Sequence, residues 1–236
     1  MDIQQLIEKG LCEMNIPHSP DAPQKSAQFL ELLLEKNKVM NLTAITEPEE
    51  AADKHILDCA AIAAHIDLSG KKIIDVGCGA GFPGMPLLLL GNGYNLTLLD
   101  SLQKRLTFIE EAVQTLGAPM PKIVHARAED AAQNGEYREK YDVCLSRAVA
   151  ALNVLCEMCL PYLKVGGTFV AMKSVSCDDE IEQAKNAVKL LGGGEIKVED
   201  YTLPSGISHR LVFITKIKPS AKKYPRKFSQ IKKAPL

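Results

Sequence analysis

No stretch of this chain is apolar for long enough to cross a bilayer. The longest such run, around Leu87 to Leu90, falls far short of the roughly 20 residues a membrane helix needs. A basic segment followed by an apolar one is also missing at Met1-Asp2-Ile3-Gln4, so no signal peptide is expected. The seven cysteines are odd in number and irregular in spacing, which argues against a disulfide framework and for a reducing compartment. Internal repeats are absent. What remains is an ordinary soluble composition, 46% hydrophobic and 24% charged over 236 residues. That length suits one domain with an appendage. A cytoplasmic location without membrane attachment is expected.

Acid is missing from the end of the chain. Lys216 to Leu236 holds eight of the 28 lysines and arginines and no aspartate or glutamate. Residues 1–215 are left with 20 bases against 29 acids, a net charge of about −9. A basic tail on an acidic body points to an anionic partner, nucleic acid first; a solubilising terminus is the plainer alternative. Pro219, Pro225 and Pro235 argue against a long helix there.

The glycines are concentrated where they matter. Residues 73–76 form a short apolar run interrupted by Asp75, suited to a buried parallel strand. Gly77, Gly79 and Gly81 then alternate, and Pro83 and Gly84 precede a leucine run. Glycines let a backbone approach a ligand closely, and proline fits a first helical turn. Strand, glycine turn and helix form the first unit of a nucleotide-type site. Gly79, Gly81 and Gly84 satisfy the dinucleotide spacing, with Asp100 about 20 residues on, so NAD is one reading. Yet Gly77 already stands directly after the strand, which fits the first motif of S-adenosylmethionine (AdoMet) methyltransferases better. AdoMet carries a sulfonium and an ammonium, which an acid such as Asp75 complements.

Elsewhere the pattern gives three regions. Residues 1–66 read as helices, with Ser19 as an N-cap and Thr46-Glu47-Pro48-Glu49 as a capping box opening a segment that runs through Ile62. Residues 67–217 alternate strand and helix, with strands at 73–76, 96–99, 122–125, 142–145 and 168–172. Helices include 102–116, closed by Gly117, and 152–163. The rhythm predicts a parallel, doubly wound sheet, finished by an antiparallel hairpin of 195–203 and 211–217 around Pro204-Ser205-Gly206. Residues 218–236 form the basic tail.

Ligands of such sheets bind at the carboxyl ends of the strands. Candidates there are Gly77, Gly79, Gly81 and Phe82 after strand one. Asp100 after strand two can accept from both ribose hydroxyls. Ala128 and Glu129 after strand three can cover an adenine. Ser146 and Arg147 follow strand four, and Lys173 follows strand five. Cys156 and Cys159 have metal-like spacing but lie in an expected helix with no second pair near them, so buried thiols and no metal are expected. His18 and His65 are expected at the surface, and His55 is expected to brace a helix.

Several blocks together resemble one family. They are Asn37 to Thr43, His55-Ile56-Leu57-Asp58, Asp75 to Gly84, Leu99 to Arg105, Ser146-Arg147-Ala148, Arg210-Leu211-Val212, Tyr224-Pro225-Arg226-Lys227 and Ala234-Pro235-Leu236. The resemblance is to the RsmG (GidB) family of bacterial 16S ribosomal RNA methyltransferases, and it covers nearly the whole chain. It implies an α/β, class I AdoMet-dependent methyltransferase (Rossmann-like) fold: a mostly parallel sheet ending in an antiparallel hairpin, with an N-terminal helical extension. It implies AdoMet as cofactor and methylation of guanine N7 in the 530 loop of 16S rRNA. By matching position, Gly77, Phe82, Ala128, Glu129 and Arg147 would contact AdoMet, alongside Asp75, Gly79, Gly81 and Asp100. The chain departs from the family's tail at Phe228 and Ile231, where glycine and proline are usual.

Guanine N7 has a lone pair and no proton to lose, so alignment suffices and no general base is needed. The sequence fits this: it has no Asn/Asp-Pro-Pro-Tyr block and no Pro-Cys or Thr-Cys nucleophile motif. Ser146 and Arg147 are the candidate catalytic pair, with Arg147 positioning cofactor or base. Lys173, Arg210, Lys222, Lys223, Arg226, Lys227, Lys232 and Lys233 are the candidate RNA contacts. A monomer acting on 16S rRNA or a small-subunit particle is expected. The alternatives are a class I methyltransferase for a small molecule, and a non-catalytic nucleic-acid-binding protein with a vestigial or NAD-filled pocket.

Overall fold

The computed structural model describes residues 2–236. Seven strands form one sheet in the order β3-β2-β1-β4-β5-β7-β6. They are β1 (Lys72–Val76), β2 (Asn95–Asp100), β3 (Lys122–His125), β4 (Tyr141–Arg147), β5 (Leu163–Ser174), β6 (Gly193–Thr202) and β7 (Ser208–Lys216). Pairing is parallel from β3 to β5, and β7 is inserted antiparallel to both β5 and β6. The expected hairpin is therefore present, with its second strand on the inside and its first at the edge. Every expected strand is found, most of them longer by a residue or more.

Side chains on a strand alternate between faces, and here both faces are covered, as a parallel sheet requires. Ile73, Leu98, Val143, Val170 and Leu211 belong to one core. Their neighbours Ile74, Leu99, Cys144, Ala171 and Val212 belong to the other. The first core also takes in α1 (Ile3–Glu13), α2 (Ala22–Met40), α6 (Gly84–Leu89) and α7 (Gln103–Thr115). The second takes in α8 (Ala128–Ala131), α9 (Leu152–Cys159), α10 (Asp178–Leu191) and α11 (Phe228–Lys233). The N-terminal helices and the C-terminal segment thus share the two cores of the sheet. No helix among the described residues is long and apolar enough to cross a membrane.

Two helix starts differ from the sequence reading. Asp21, not Ser19, precedes α2, because the Ser19 hydroxyl donates to the Asp21 carboxylate at 2.5 Å and its amide to Leu90 O. Thr46 caps nothing; Glu47 precedes α3 (Pro48–Ala51) without a side-chain bond. The segment expected to run on to Ile62 is interrupted. A π-helical turn spans Ala52–Leu57, followed by α4 (Asp58–Ala60) and α5 (Ile62–His65). Asp53 and His55 in this turn, and Asp58 directly after it, are buried. The 152–163 helix is also shorter than expected, giving way to a 3-10 turn at Leu160–Tyr162.

Candidate active site

The carboxyl ends of β1 to β4 surround a cleft of about 470 Å³. Its floor is the glycine turn. Gly77 has φ +75°, and a Cβ there would come within 2.8 Å of Val149. Gly79 has φ +57°, and a Cβ there would project into open space. The turn is built from below by two carboxylates. Asp75 Oδ2 accepts from Gly84 N at 2.8 Å, and Asp100 Oδ2 accepts from Gly79 N at 2.9 Å. Asp100 Oδ1 accepts from Leu102 N at 2.8 Å, and Arg105 lies 3.7 Å from Oδ2.

Most of the sequence-derived candidates meet here. Gly77, Gly79, Phe82, Asp100, Ala128, Glu129 and Arg147 all line the cleft. Three do not. Asp75 is fully buried beneath the turn, and its Oδ1 has no partner; burial pushes its pKa up to about 7. It shapes the turn and does not face the cleft as expected. Gly81 leaves room for Met85, which a Cβ would approach to 2.4 Å. Ser146 is fully buried, and its hydroxyl donates to Val76 O at 3.0 Å, tying β4 to β1. It is a strand tie and not half of a catalytic pair.

Arg147 stands at a junction. A second cavity of about 430 Å³ is lined by Lys54, His55, Asp58, Lys173, Tyr201 and His209 among others. Arg147 and Ala148 line both cavities. Arg147 donates to Lys54 O (2.8 Å), to Asp58 Oδ2 (3.2 Å) and to His55 Nδ1 (3.0 Å). Its guanidinium lies 4.8 Å from the Phe82 ring centre, and the His55 ring stacks on Phe82 at 4.6 Å between centroids. Ala148 has φ +55°, a conformation that non-glycine residues seldom adopt.

The second cavity's titratable groups hold each other. Burial would raise the Asp58 pKa, but hydrogen bonds from His209 (2.6 Å) and Tyr201 (2.5 Å) and the Arg147 charge bring it below the ordinary value. The same bond to Asp58 raises His209. Burial, helped by the Arg147 charge, lowers His55 to about 4, so it is neutral at pH 7. With Nδ1 accepting from Arg147, its Nε2 donates to Thr43 Oγ1 at 2.7 Å. Thr43 is itself fixed by Asn37, whose side chain accepts from Leu42 N and Thr43 N at the end of α2. This explains in physical terms the block from Asn37 to Thr43: it seats His55 and brings Leu42 to the cleft.

The basic candidates divide. Arg226 is internal: its Nε and Nη2 bind Glu157, a carboxylate with no solvent exposure, at 2.9 and 2.7 Å. Arg210 is paired with Asp178 and Asp200, both at 2.6 Å. Lys173 is paired with Glu180 at 2.7 Å and donates to Ala150 O. None of these three is a free cation, and Arg226 is tied to a carboxylate inside the fold. Lys222, Lys223, Lys227, Lys232 and Lys233 are exposed. Cys156 and Cys159 are buried thiols, and no metal-ligating cluster occurs among the described residues. The sequence reading missed Arg105 and Phe228 in the cleft, although both lay in stretches it had singled out.

The sheet order, the reversed seventh strand and the glycine turn beneath a strand-end cleft define a class I AdoMet-dependent methyltransferase fold. Two solved structures share it at TM-score 0.50. One is M. jannaschii TYW2 in complex with AdoMet, 14% identical, covering 64% of this chain and 72% of that one. The other is TrmN from Thermus thermophilus, 17% identical, covering 67% and 49%. Residues 22–205 match the family described as "GidB: rRNA small subunit methyltransferase G". Relatives named "Ribosomal RNA small subunit methyltransferase G" align over full length: 41% identical in Clostridium perfringens and 43% in Alkaliphilus oremlandii, covering 100% of both chains. The Symbiobacterium thermophilum relative is 44% identical over 98% of this chain and 97% of its own. The chain belongs to this methyltransferase family.

Proposed function

We propose that this protein transfers a methyl group from AdoMet to N7 of a guanine in the 530 loop of 16S rRNA. The cleft fits the cofactor. Gly77 and Gly79 leave a cradle that a Cβ would fill. Asp100 keeps spare lone pairs for ribose hydroxyls beside the two backbone amides it holds. Glu129, buried at the cleft wall, offers an acceptor for an exocyclic amine. AdoMet, when bound, supplies an electrophilic methyl group on a sulfonium.

The observation that carries the choice of N7 is the state of the second cavity. His55 is engaged there through each ring nitrogen and Asp58 by three donors. His209 bonds Asp58 through Nδ1, and that bond raises its pKa, which favours the protonated, donating ring over one that takes a proton from an acceptor. Methylation of guanine N7 releases none. Arg147, fixed by Lys54, His55 and Asp58, then sets the wall between cofactor and acceptor, a positioning role. The exposed tail lysines Lys222, Lys223, Lys227, Lys232 and Lys233 favour a polyanion such as rRNA.

The test is transfer of labelled methyl from AdoMet to a 16S rRNA fragment spanning the target loop. A fragment with 7-deazaguanine at the target should accept none. Equal labelling of the deaza fragment would show attack at another atom.

A further inference from the structure

The tail is not a free arm. Arg138 donates to the carbonyls of Tyr224 (2.8 Å), Ser220 (2.9 Å) and Ala221 (3.2 Å), and Gln133 donates to Pro225 O at 2.9 Å. Arg226 is held by Glu157. Tyr224 and Ile231 are buried in the core that contains α8 and α9. Residue 228 lies between these anchors, so its position is set from both sides.

Phe228 is only half-buried, and it lines the cleft. With Ala128 and Met158 it makes an apolar stretch of wall. Asp100, Ser101 and Arg105 add polar lining to the same cleft. Polar lining together with aromatic, thioether and methyl lining suits a ligand with a hydroxylated end and a flat heteroaromatic end. Asp100 fixes the ribose end, so the ring falls toward Ala128 and Phe228. Ile231 anchors the short helix α11, and Phe228 is the side chain that the helix presents to the cleft.

We propose that Phe228 is a platform against which the adenine ring of AdoMet stacks, making the C-terminal segment a wall of the cofactor site. The proposal rests on the reading of the cleft as an AdoMet site. It places the cofactor's ring beside the short helix that also carries Lys232 and Lys233.

The chain has no tryptophan, so Phe228→Trp introduces a single indole as reporter. Its emission should change on titration with AdoMet and with adenosine, and stay constant with methionine alone. By titration calorimetry, Phe228→Ala should bind AdoMet about 5- to 150-fold more weakly, the range of base–aromatic stacking. Phe228→Leu keeps apolar volume without the π-face; it should fold and still lose affinity, which keeps the test open if the alanine variant is unstable. Wild-type affinity in the Leu and Ala variants, with Trp emission indifferent to adenosine, would overturn the contact alone. Failure of the wild-type protein to bind AdoMet would overturn the cofactor reading and this inference with it.

Discussion

Replacing Arg226 with alanine separates two roles for a basic tail residue. Glu157 has no solvent exposure, and Arg226 supplies its backbone amide, Nε and Nη2 to it, at 2.8, 2.9 and 2.7 Å. The variant keeps the amide but strips both side-chain donors, leaving a buried carboxylate without its counter-charge. Breaking such a pair from one side costs about 3–5 kcal/mol. For a chain of this size each kcal/mol lowers Tm by about 2–4 °C, so a fall of roughly 6–20 °C is expected. Urea titration followed by circular dichroism should show the same loss in midpoint with little change in slope. Removing both charges, as Arg226→Met with Glu157→Leu, should recover most of the stability, since an apolar pair of similar volume replaces the ions. Lys232→Ala is the control. Lys232 is exposed, so its loss should change stability by less than about 0.5 kcal/mol. It should instead flatten the salt dependence of RNA binding by about 0.7–0.9 in log–log slope. If Arg226→Ala leaves Tm unchanged and alters only the salt slope, the internal placement of Arg226 is wrong.

Two further perturbations probe the glycine turn. Asp100→Ala should weaken AdoMet binding by about 1.5–3 kcal/mol, the worth of hydrogen bonds to a charged acceptor, read by calorimetry; unchanged affinity would remove Asp100 from the ribose site. Asp75 gives a pH signature. Its pKa rises from 3.8 to about 7 in the fold because it is buried, so the folded state holds a proton that the unfolded state releases. Its stabilising contribution is full below pH 3.8 and is lost as pH rises through about 7, by at most about 4 kcal/mol at 1.4 kcal/mol per pKa unit. Asp75→Asn, neutral throughout, should flatten that part of the stability–pH curve; an unaltered curve would refute the assignment.

The fold was legible because its signals are local and repeated. Each strand is a short apolar run between turn residues, and the glycines at 77, 79 and 81 announce the turn they build. The residues at the strand ends were legible for the same reason, since topology alone brings Gly77, Asp100, Ala128 and Arg147 to one edge. Orientation was not legible. Ser146 adjoins cleft-lining Arg147 and Asp75 stands two residues before Gly77, yet both side chains turn inward, where they bond Val76 O and Gly84 N. The π-helical turn that holds the buried His55, with Asp58 directly after it, has no simple periodicity to betray it. The tail misled because charge counting cannot see a partner 69 residues away: the buried Glu157 holds Arg226 against the fold. That Phe228 lines the cleft could not be read from the tail's composition, because it depends on where Tyr224, Arg226 and Ile231 are anchored.

The most direct test is to methylate 16S rRNA with labelled AdoMet and map the modified base, using strand scission at N7-methylguanine after borohydride reduction and aniline treatment. The account expects one labelled guanine, in the 530 loop, cleaved by this chemistry. Label on an exocyclic nitrogen, on a pyrimidine carbon or on an RNA other than 16S would contradict it.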